Sequence, residues 1–549
     1  MQDFVHTCEA VAATRSRLEK AAHLQILFSH LDDADLARAA RYLSGRAFPL
    51  SDQRVLNVGY ANVRDALLAL VPTPEEEYSR LVVRLADMGD VAYELLSRRP
   101  DPPPTLTLAD LADLFDRLAA ASGAKARGKL LTETLARATA LEAKYIVKIV
   151  MGELRIGLQE GQVEDAIARA YGVKVEAVQW TNMLLGDLGE TAVMARHGRL
   201  GEAHMRLFHP IKFMLASPAD SPDDVAKQMP GGFLVEDKFD GVRAQVHKQG
   251  DRLAIFSRTL DEVAHRYPEL HDPLLALPGE FILDGEILGW RDGRAIPFTE
   301  FQARLGRKTV DADLLTTLPV VFMAFDLLYQ DGDVLLDRPL RERRRRLEEL
   351  LGNRDTHHAS RMMHPDPLLL SQAAEFPTTT ALPTAFDAAR ERGNEGLMVK
   401  EPGSTYKPGR RGKEWLKVKR PLATLDVVVT GVEWGNGKRR HVLSDYTFAV
   451  QDEEGRLLEV GKAYSGLTDA EIAELTEWFQ AHTIEDYGKF RRVEPLIVLE
   501  VAFDNVQPSD RHPSGYALRF PRIVRVRTDK LPIDVDTLDT VRALARRAR

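Results

Sequence analysis

The sequence predicts a multidomain protein with an all-α N-terminal region, an α+β middle region built on antiparallel sheets, and a C-terminal β-barrel. A chain of 549 residues corresponds to roughly three or four domains, at roughly 100–200 residues each. Apolar residues recur at helical spacing up to residue 205 and in short strand-like runs from residue 206, and further short runs follow residue 422. These changes of periodicity predict the order of the three regions.

Residues 1–205 are predicted to be helical. The segments LADLFDRLAAAS (111–122) and TETLARATALEAKYIVKIVMGEL (132–154) carry apolar residues at helical spacing and few residues typical of strands. The proline-rich segment DPPPTLTLAD (101–110) interrupts this pattern. We expect a loop between two helices there rather than a domain boundary.

Residues 206–421 are predicted to form strands with helical insertions. Short apolar runs such as GFLVEDKFDG (232–241) and PVVFMAFDLLY (319–329) are separated by turns such as KQGD (248–251). One helical insertion contains RERRRR (341–346). Because runs of charge usually face water, we interpret this one as a solvated helix face.

Residues 422–549 are predicted to form a small β-barrel. The runs LDVVVTGVEW (425–434), YTFAVQD (446–452) and LIVLEVAF (496–503) are typical of short strands. A single helix-like segment, TDAEIAELTEWFQAH (468–482), interrupts them. Many short strands with one helix fit a barrel better than an open sheet.

Composition excludes several classes of protein. One cysteine, Cys8, can form neither an internal disulfide nor a Cys-rich zinc site. The first residues lack the apolar core of a signal peptide, and no apolar run has the length of a membrane span, so we expect no membrane association. The net charge of −8 allows a nucleic-acid partner only through local basic patches. The segment 511–530 is one such patch, with six cationic residues against one acid.

A candidate nucleophile lies in VEDKFDGVRAQVHK (235–248), which is typical of a strand, a turn at Asp240-Gly241 and a second strand. Glu236 and Lys238 are two residues apart and share a face of the first strand. A lysine becomes a covalent nucleophile when a neighbouring cation or metal lowers its pKa. Candidates for that cation are Arg243, Lys417 and Lys419. Taken alone, the segment is better explained as a solvated hairpin with ordinary charges.

Five further segments follow in order and change that interpretation. Glu286 lies in an apolar strand, where a lone carboxylate needs a partner. In the last segment Trp415, Lys417 and Lys419 share one strand face, while Leu416 and Val418 share the other, as in a strand that floors an anionic pocket. The five segments are FSRT (256–259), LDGEI (283–287), FMAFDLLY (322–329), NEGLMVK (394–400) and YKPGRRGKEWLKVK (406–419).

The six segments resemble motifs I, Ia, III, IIIa, IV and V of the covalent nucleotidyltransferases, which include DNA ligases, RNA ligases and mRNA capping enzymes. Six ordered motifs are far more specific than any one of them. Over nearly its whole length, the chain resembles the archaeal and bacterial ATP-dependent DNA ligases that carry a helical N-terminal DNA-binding domain. The resemblance implies a helical DNA-binding domain at 1–205, an adenylation domain at 206–421 and an OB-fold domain at 422–549.

The resemblance also implies a reaction, a location and partners. Such an enzyme seals nicks between a 5′-phosphate and a 3′-hydroxyl in duplex DNA during replication, repair or recombination. It uses ATP and Mg²⁺, with Mn²⁺ as an alternative, and proceeds through lysyl-AMP and AMP-DNA intermediates. We expect a cytoplasmic, nucleoid-associated monomer whose partner is nicked double-stranded DNA.

Each candidate residue takes a role from the matching motif. By resemblance, Lys238 carries AMP, Glu236 accepts a hydrogen bond from adenine, and Phe325 stacks on the base. Glu395 binds Mg²⁺, and Glu286 binds the ribose or the metal. Lys400 has the opposite strand parity to Glu395, so both reach the pocket only if Gly396 interrupts the strand. The remaining candidate ligands of ribose and phosphates are Arg243, Arg258, Arg411, Lys417 and Lys419.

The segment GYALRFPRIVRVRTDK (515–530) resembles motif VI of the ligase OB domain. That motif orients the pyrophosphate leaving group, a role implied here for Arg519, Arg522, Asp529 and Lys530.

Candidate DNA contacts lie mainly in the helical region. The first is SGAKARGKL (122–130), where glycines at a helix start bring backbone N–H groups to phosphates and Lys125, Arg127 and Lys129 add charge. MGELRIGLQEG (151–161) is the second. The basic segment WGNGKRRH (434–441) fits either a phosphate contact or an ordinary exposed loop.

Three alternatives remain at this stage. A GTP-using capping enzyme fits poorly with the long helical region, and GTP competition would separate the two. An NAD-dependent ligase carries a four-cysteine zinc module, which a chain with one cysteine cannot form. A catalytically dead DNA-binding scaffold would have lost Lys238 or a metal-binding carboxylate, and both are present.

Overall fold

The computed structural model describes residues 1–219, 221–305, 307, 310–352, 366–419, 423–435 and 439–547, without the side chains of residues 299, 419 and 547. The chain divides into two compact units. The first consists of Met1–Asn62, Pro104–Thr134 and Ile149–Arg420, and the second of Val63–Pro103, Leu135–Lys148 and Pro421–Arg549. Within the described residues, no helix is both long enough and apolar enough to cross a membrane.

The N-terminal region is helical, as predicted. Residues 101–107 are a loop, but a boundary between the two compact units falls inside it, at Pro103–Pro104, where we expected no domain boundary. The helix predicted over 132–154 is instead two helices, because Thr139 and Glu142 form a capping box that starts a new one. The Glu142 N–H donates to Thr139 Oγ1 at 3.2 Å, and the Thr139 N–H donates to Glu142 Oε2 at 2.9 Å. The helices are Gln2–Ala13, Arg17–His30, Asp33–Leu43, Tyr60–Leu70, Glu75–Leu85, Met88–Leu96, Leu108–Ala120, Ala124–Arg137, Ala140–Val150, Glu160–Tyr171, Val175–Leu185 and Leu188–Arg196, followed by a 3₁₀ turn at Leu200–Glu202.

The middle region contains two sheets with helices between their strands. The strands are β1 Leu215–Ala219, β2 Phe233–Lys238, β3 Val242–Gln249, β4 Arg252–Ser257, β5 Phe281–Arg291, β6 Arg294–Ala295, β7 Val320–Gln330, β8 Asp333–Val334, β9 Leu368–Leu370, β10 Ala373–Phe376, β11 Gly396–Lys400 and β12 Arg411–Lys419. The helices are Pro222–Gln228, His271–Leu275, Phe298–Leu305, Ala312–Thr317, Leu340–Gly352 and Leu382–Glu391, with 3₁₀ turns at Ala264–Arg266, Pro268–Leu270 and Thr379–Ala381.

The first sheet has the order β1-β12-β11-β2-β10, and all its neighbours are antiparallel except β1 and β12. The second has the order β4-β3-β5-β7-β8, with β6 beside β5 and β9 parallel to β7. The motif of Lys238 joins the two sheets, because β2 belongs to the first and β3 to the second. The short connection needs Gly241, where a Cβ would lie 2.4 Å from the Ile287 carbonyl oxygen.

The alternation predicted for the last motif is confirmed for its described side chains. Leu416 and Val418 belong to the apolar core of the first sheet. Trp415, on the other face of β12, packs with Phe325 and Tyr406 in a separate apolar cluster. The strand therefore separates the core of its sheet from a second, partly polar surface.

The interpretation of RERRRR as a solvated helix face is wrong for two of its arginines. Arg343 and Arg344 are buried in the helix Leu340–Gly352. This helix packs on β7, so helical periodicity turns two consecutive arginines inward, where carboxylates meet them. Arg343 forms a fully buried ion pair with Asp326 at 2.8 Å.

The C-terminal region is a β domain, as predicted. Its longest strand, β13, pairs with β14, β17 and β18, and β21 pairs with β18. The predicted helix begins after Thr468, whose side chain caps it in a capping box with Glu471. The strands are β13 Ala423–Trp434, β14 Leu443–Gln451, β15 Leu457–Ala463, β16 Thr483–Asp486, β17 Phe490–Val493, β18 Val498–Phe503, β19 Asn505–Pro508, β20 Tyr516–Arg519 and β21 Arg522–Val526; the helices are Asp469–Ala481 and Leu538–Arg547, with a 3₁₀ turn at Pro532–Asp534.

Candidate active site

Lys238 ends β2 and lies beside a carboxylate. Its Nζ is 2.7 Å from Glu395 Oε2, and each side chain is about one-fifth exposed. The backbone fixes this pair, because the Glu395 N–H donates to the Lys238 carbonyl oxygen at 2.8 Å. The two neighbouring strands β2 and β11 therefore deliver a lysine and a glutamate to one partly exposed position.

Gly396 allows Glu395 and Lys400 to serve the same site. Its φ of +152° falls in a region that side chains rarely adopt, and a Cβ there would lie 2.4 Å from the Val418 carbonyl oxygen. The strand β11 begins at this glycine, so the alternation of faces does not extend back to Glu395. The sequence predicted that both residues reach the pocket only if Gly396 interrupts the strand, and the strand does begin only at Gly396.

Glu236 lies two residues before Lys238 and is buried. Its Oε2 accepts hydrogen bonds from Lys400 Nζ at 2.9 Å and Ser371 Oγ at 3.0 Å. Its Oε1 is 3.8 Å from Arg344 Nη1, and within the described residues neither of these two atoms has a hydrogen-bond partner. A buried acceptor without a donor suits a ligand that carries an N–H group, as adenine does.

Arg243 belongs to a closed ring of hydrogen bonds. It donates twice to Asp284, at 3.1 and 2.7 Å, and once to the Met214 carbonyl oxygen at 2.7 Å. Tyr406 Oη donates to Asp284 at 2.7 Å and accepts from the Met214 N–H at 3.0 Å. These contacts fix the guanidinium in one position. They also occupy N–H groups of Arg243 that the resemblance assigns to ribose or phosphate.

Glu286 faces Arg243 across the pairing of β5 with β3. Burial raises the pKa of its carboxyl to about 7, although the nearby charges of Lys238 and Arg243 oppose the rise. Near neutral pH this carboxyl is therefore close to its midpoint, and a bound cation would favour its ionised form.

Phe325 lies on the apolar side of the same region. Its ring meets Trp415 edge to face, with centroids 6.2 Å apart, and Met398 packs in the same cluster. The ammonium of Lys400 lies 4.6 Å from the centre of the Phe325 ring. Phe325 therefore contacts the residue that binds Glu236, which connects the candidate base-stacking and base-reading side chains.

The structure brings Lys238, Glu395, Glu286, Glu236, Arg243 and Phe325 together. Arg258 and Arg411 are exposed, and Lys417 is partly buried on β12. The Lys419 side chain lies outside the described residues. The roles of these four remain predictions.

The motif VI candidates all lie in the C-terminal β domain. Lys530 donates to Asp426 at 2.6 Å, and this hydrogen bond raises the pKa of the lysine. Arg527 donates to Asp426 and to Asp529, and its hydrogen bond lowers the pKa of Asp529. Arg522 is exposed at the start of β21, and the Arg519 guanidinium lies 5.1 Å from the Phe520 ring centre. Asp426, which sequence reasoning missed, thus anchors two cations of this motif.

The predicted DNA contacts differ in how accessible they are. As expected, a helix begins at Ala124, directly after Gly123 with φ +88°. Lys125 and Lys129 are both exposed, although Lys129 lies 3.7 Å from Glu133. Arg127 is half-buried and donates to the Ala121 carbonyl oxygen at 2.6 Å. In the segment 434–441, residues 436–438 lie outside the described residues, so both interpretations of that loop stand.

Sequence reasoning missed three residues of the site and the partner of a fourth. Asp284 could have been found, because it shares a strand face with Glu286 two residues later. Lys400 carried a parity signal, but its partner Glu236 lies 164 positions away in sequence. Ser371 and Tyr406 gave no local signal, since only the tertiary fold brings them to Glu236 and Asp284.

The residues present fit ATP and a divalent cation. Glu286 and Glu395 supply two carboxylates, and Mg²⁺ commonly uses one or two carboxylates together with substrate phosphates. Among the described residues, no group of three or more His, Cys, Asp or Glu side chains could hold a metal by itself. Glu236 Oε1, which accepts no hydrogen bond within the described residues, and the Phe325 ring suit the base.

Comparison with known proteins gives consistent matches along the chain. The DNA ligase N terminus model matches residues 1–168, the ATP dependent DNA ligase domain 213–419, and the ATP dependent DNA ligase C terminal region 439–530. A Koribacter versatilis protein named "Probable DNA ligase" is 48% identical over 558 residues, covering 100% of this chain and 96% of its own. The DNA ligase of Methanoculleus marisnigri is 37% identical over 550 residues, covering 98% and 97%.

A solved structure named Pmar-Lig_PreS3 has the same fold, with a TM-score of 0.62 at 17% identity, over 95% of this chain and 99% of its own. Family models match most of the sequence, and they do so in the three regions that the periodicity separates. The chain therefore belongs to the family of ATP-dependent DNA ligases.

Proposed function

We propose that this ATP-dependent DNA ligase seals nicks between a 5′-phosphate and a 3′-hydroxyl in duplex DNA, as a cytoplasmic, nucleoid-associated monomer, and that Lys238 is its nucleophile. The observation that carries the proposal is the contact of Lys238 with Glu395 beside Glu286 and Arg243. A metal ion held by these carboxylates would place a cation beside Lys238 and favour its neutral, nucleophilic form.

The reaction comprises three transfers at phosphorus. Lys238 Nζ, once deprotonated, attacks the α-phosphorus of ATP; a P–N bond forms, and the bond to pyrophosphate breaks. An oxygen of the 5′-phosphate at the nick then attacks the AMP phosphorus; a P–O bond forms, and the P–N bond to Lys238 breaks. Finally the 3′-hydroxyl attacks that phosphate and expels AMP. Mg²⁺, when bound, supplies positive charge to phosphate oxygens on which negative charge grows.

The chain's own residues prepare the first transfer. At rest, the carboxylate of Glu395 holds the ammonium of Lys238 at 2.7 Å. Binding of ATP with a cation would separate this pair, because the carboxylate then binds the cation and the lysine faces the α-phosphate. Glu236 Oε1 accepts from the adenine amino group, while Phe325 covers a face of the base. These contacts select the adenine nucleotide and orient its α-phosphate.

The test is the variant Lys238→Arg, incubated with α-labelled ATP and Mg²⁺ and analysed by denaturing electrophoresis. We expect no labelled protein and no sealing from ATP, because arginine stays protonated and cannot attack. Sealing of a nick that already carries 5′-AMP should survive, since that step does not need the nucleophile. Wild-type protein that takes up label at a residue other than Lys238 would refute the assignment.

A further inference from the structure

The segment Phe208–Met214 connects the helical region to β1, and its last four residues have no regular secondary structure. Its buried backbone N–H and C=O groups therefore need partners outside a helix or sheet ladder. The segment also departs from relaxed geometry, because Phe208 is buried with a φ of +68°. A conformation of this kind persists only where the surroundings enforce it.

The strand β3 supplies the partners from one of its faces. Ala244 and Val246 lie in the apolar core on one side of the strand. On the other side, Gln245 and His247 are fully buried. Polar side chains in such a position are stable only when they are hydrogen-bonded, so this face of β3 requires a polar surface against it.

The contacts form a ladder between the strand and the connecting segment. The Phe208 N–H donates to His247 Nδ1 at 3.0 Å. The Ile211 N–H donates to Gln245 Oε1 at 2.8 Å, and Gln245 Nε2 donates to the Ile211 carbonyl oxygen at 3.2 Å. Steps of two residues along β3 thus match steps of three along the segment.

The two rungs also support each other. Because His247 Nδ1 accepts a hydrogen bond, the proton of the neutral ring is on Nε2, which donates to Gln245 Oε1 at 2.8 Å. Burial lowers the pKa of His247 to about 3, and the charge of His209 adds to this effect. The ring therefore stays neutral, and its acceptor remains available to Phe208.

The next rung reaches the active site. The carbonyl oxygen of Met214 accepts from Arg243, and the N–H of Met214 donates to Tyr406, so the peptide of Met214 closes the ring that contains Asp284. A shift of the segment along β3 would remove this carbonyl from the guanidinium. The position of Arg243 thus depends on the two rungs behind it.

The segment also contacts the helical region. His209 Nδ1 donates to the carbonyl oxygen of Leu185, the last residue of its helix, at 2.7 Å. Lys212 forms an ion pair with Glu160 at 2.6 Å. The guanidinium of Arg252 lies 3.7 Å from the centre of the Phe208 ring. The segment therefore has contacts with helices on one side and with the catalytic sheet on the other.

We propose that Gln245 and His247 are positioning residues for self-adenylylation, which act through the segment Phe208–Met214 to place Arg243. The inference rests on the proposed function, because Arg243 matters only if ATP reacts beside it. Gln245 and His247 touch no substrate; they set the register of a backbone carbonyl that orients a cationic side chain. Because the segment is also bonded to the helical region, that region helps to hold the nucleotide pocket in place.

The experiment uses the full chain and measures kcat and KM for ATP in self-adenylylation. His247→Phe keeps an aromatic ring for Phe256, 5.0 Å away, but removes the acceptor for the Phe208 N–H. We expect kcat to fall roughly tenfold, because displacements of about 1 Å in a reacting site can cost up to about 100-fold. KM should stay within about twofold, since the base-binding residues are untouched. His247→Asn, whose Oδ1 replaces Nδ1, should recover most of the loss.

A double-mutant cycle separates positioning from mere stability. If His247 acts through Arg243, His247→Phe should lower kcat by less than about twofold in a chain that already carries Arg243→Ala. Gln245→Met tests the second rung in the same way and replaces His247→Phe if that variant folds poorly. Val246→Ala is the matched control, because it weakens the opposite face of β3 but should leave kcat per folded molecule unchanged.

Additive losses of kcat in the cycle, or an equal loss of kcat in Val246→Ala, would overturn this inference but leave the proposed function standing. A wild-type chain that takes no label from ATP would overturn the proposed function, and this inference with it. Non-additive losses together with recovery in His247→Asn would establish the ladder.

Discussion

At the scale of single residues, the site combines paired charges with atoms left open for ligand. Glu236 uses one carboxylate oxygen for Lys400 and Ser371 and leaves the other without a hydrogen-bond donor among the described residues. Lys400 is almost fully buried, so its partner carboxylate also removes the cost of an isolated internal cation. The oxygen that lacks a donor is the one that we propose accepts from adenine.

His247 gives a prediction about acid stability. Its pKa is about 3 in the folded chain against an ordinary value of 6.5, because burial disfavours the charged ring. The unfolded chain therefore binds a proton below pH 6.5 that the folded chain cannot bind until about pH 3. The contribution of the neutral ring to the free energy of unfolding is fully present above pH 6.5. It declines as pH falls and is smaller by about 2 kcal/mol at pH 5.

The measurement compares urea unfolding of wild type and His247→Asn at pH 7 and pH 5. Asparagine keeps an acceptor but does not titrate, so the loss between the two pH values should be smaller by about 2 kcal/mol. The exposed His6→Asn serves as the control and should leave the pH dependence unchanged. Equal slopes for wild type and His247→Asn would contradict the assignment of a buried neutral ring.

At the scale of elements, the sequence predicts strands and their faces well and long-range pairings poorly. The two faces of β12 follow from the alternation in WLKVK, since Leu416 and Val418 are core residues. The buried pair of Arg343 with Asp326 could not be predicted, because a run of arginines carries no sign of which helix face meets a sheet. The split at Thr139 was missed because apolar periodicity continues across it, and only the capping residues mark the break.

The strands β20 and β21 give a prediction about the order of steps. Arg522 is exposed at the start of β21, while Lys530 and Arg527 are bound to Asp426. If this segment orients pyrophosphate, Arg522→Ala should lower self-adenylylation by roughly 10- to 100-fold, the value of one charged hydrogen bond. Sealing of pre-adenylylated DNA releases no pyrophosphate and should change little.

Both activities should be measured on the same preparation, with Arg525→Ala as the matched variant. Arg525 also lies on β21, but its side chain is paired with Glu500 at 2.7 Å. We expect Arg525→Ala to affect neither step by more than about threefold, because exposed ion pairs contribute little. Equal losses in the two steps for Arg522→Ala would reject the division of labour.

At the scale of the whole molecule, a protein of net charge −8 has to hold a polyanion. Its surface as a whole does not attract DNA, so binding depends on local cations that neutralise phosphates one at a time. A nick, the substrate that we propose, has no fixed sequence, so we expect backbone contacts to dominate over contacts with base edges. Each cation that contacts a phosphate contributes about −0.9 to the slope of log affinity against log salt.

Lys125 is the cation for which the structure makes the clearest prediction. It is exposed in the first turn of the helix that begins at Ala124, where backbone N–H groups also favour an anion. Arg127 is hydrogen-bonded to the Ala121 carbonyl oxygen, and the exposed Lys129 is paired with Glu133, so both should contribute less. We expect Lys125→Ala to reduce the salt slope for nicked duplex by about 0.9 and to leave the labelling of Lys238 by ATP unchanged.

Lys227→Ala removes the same charge from an exposed position outside the predicted contacts and should leave the slope as it is. If the two variants shift the slope equally, affinity depends on total charge rather than on this helix, and the segment 122–130 is not a DNA contact.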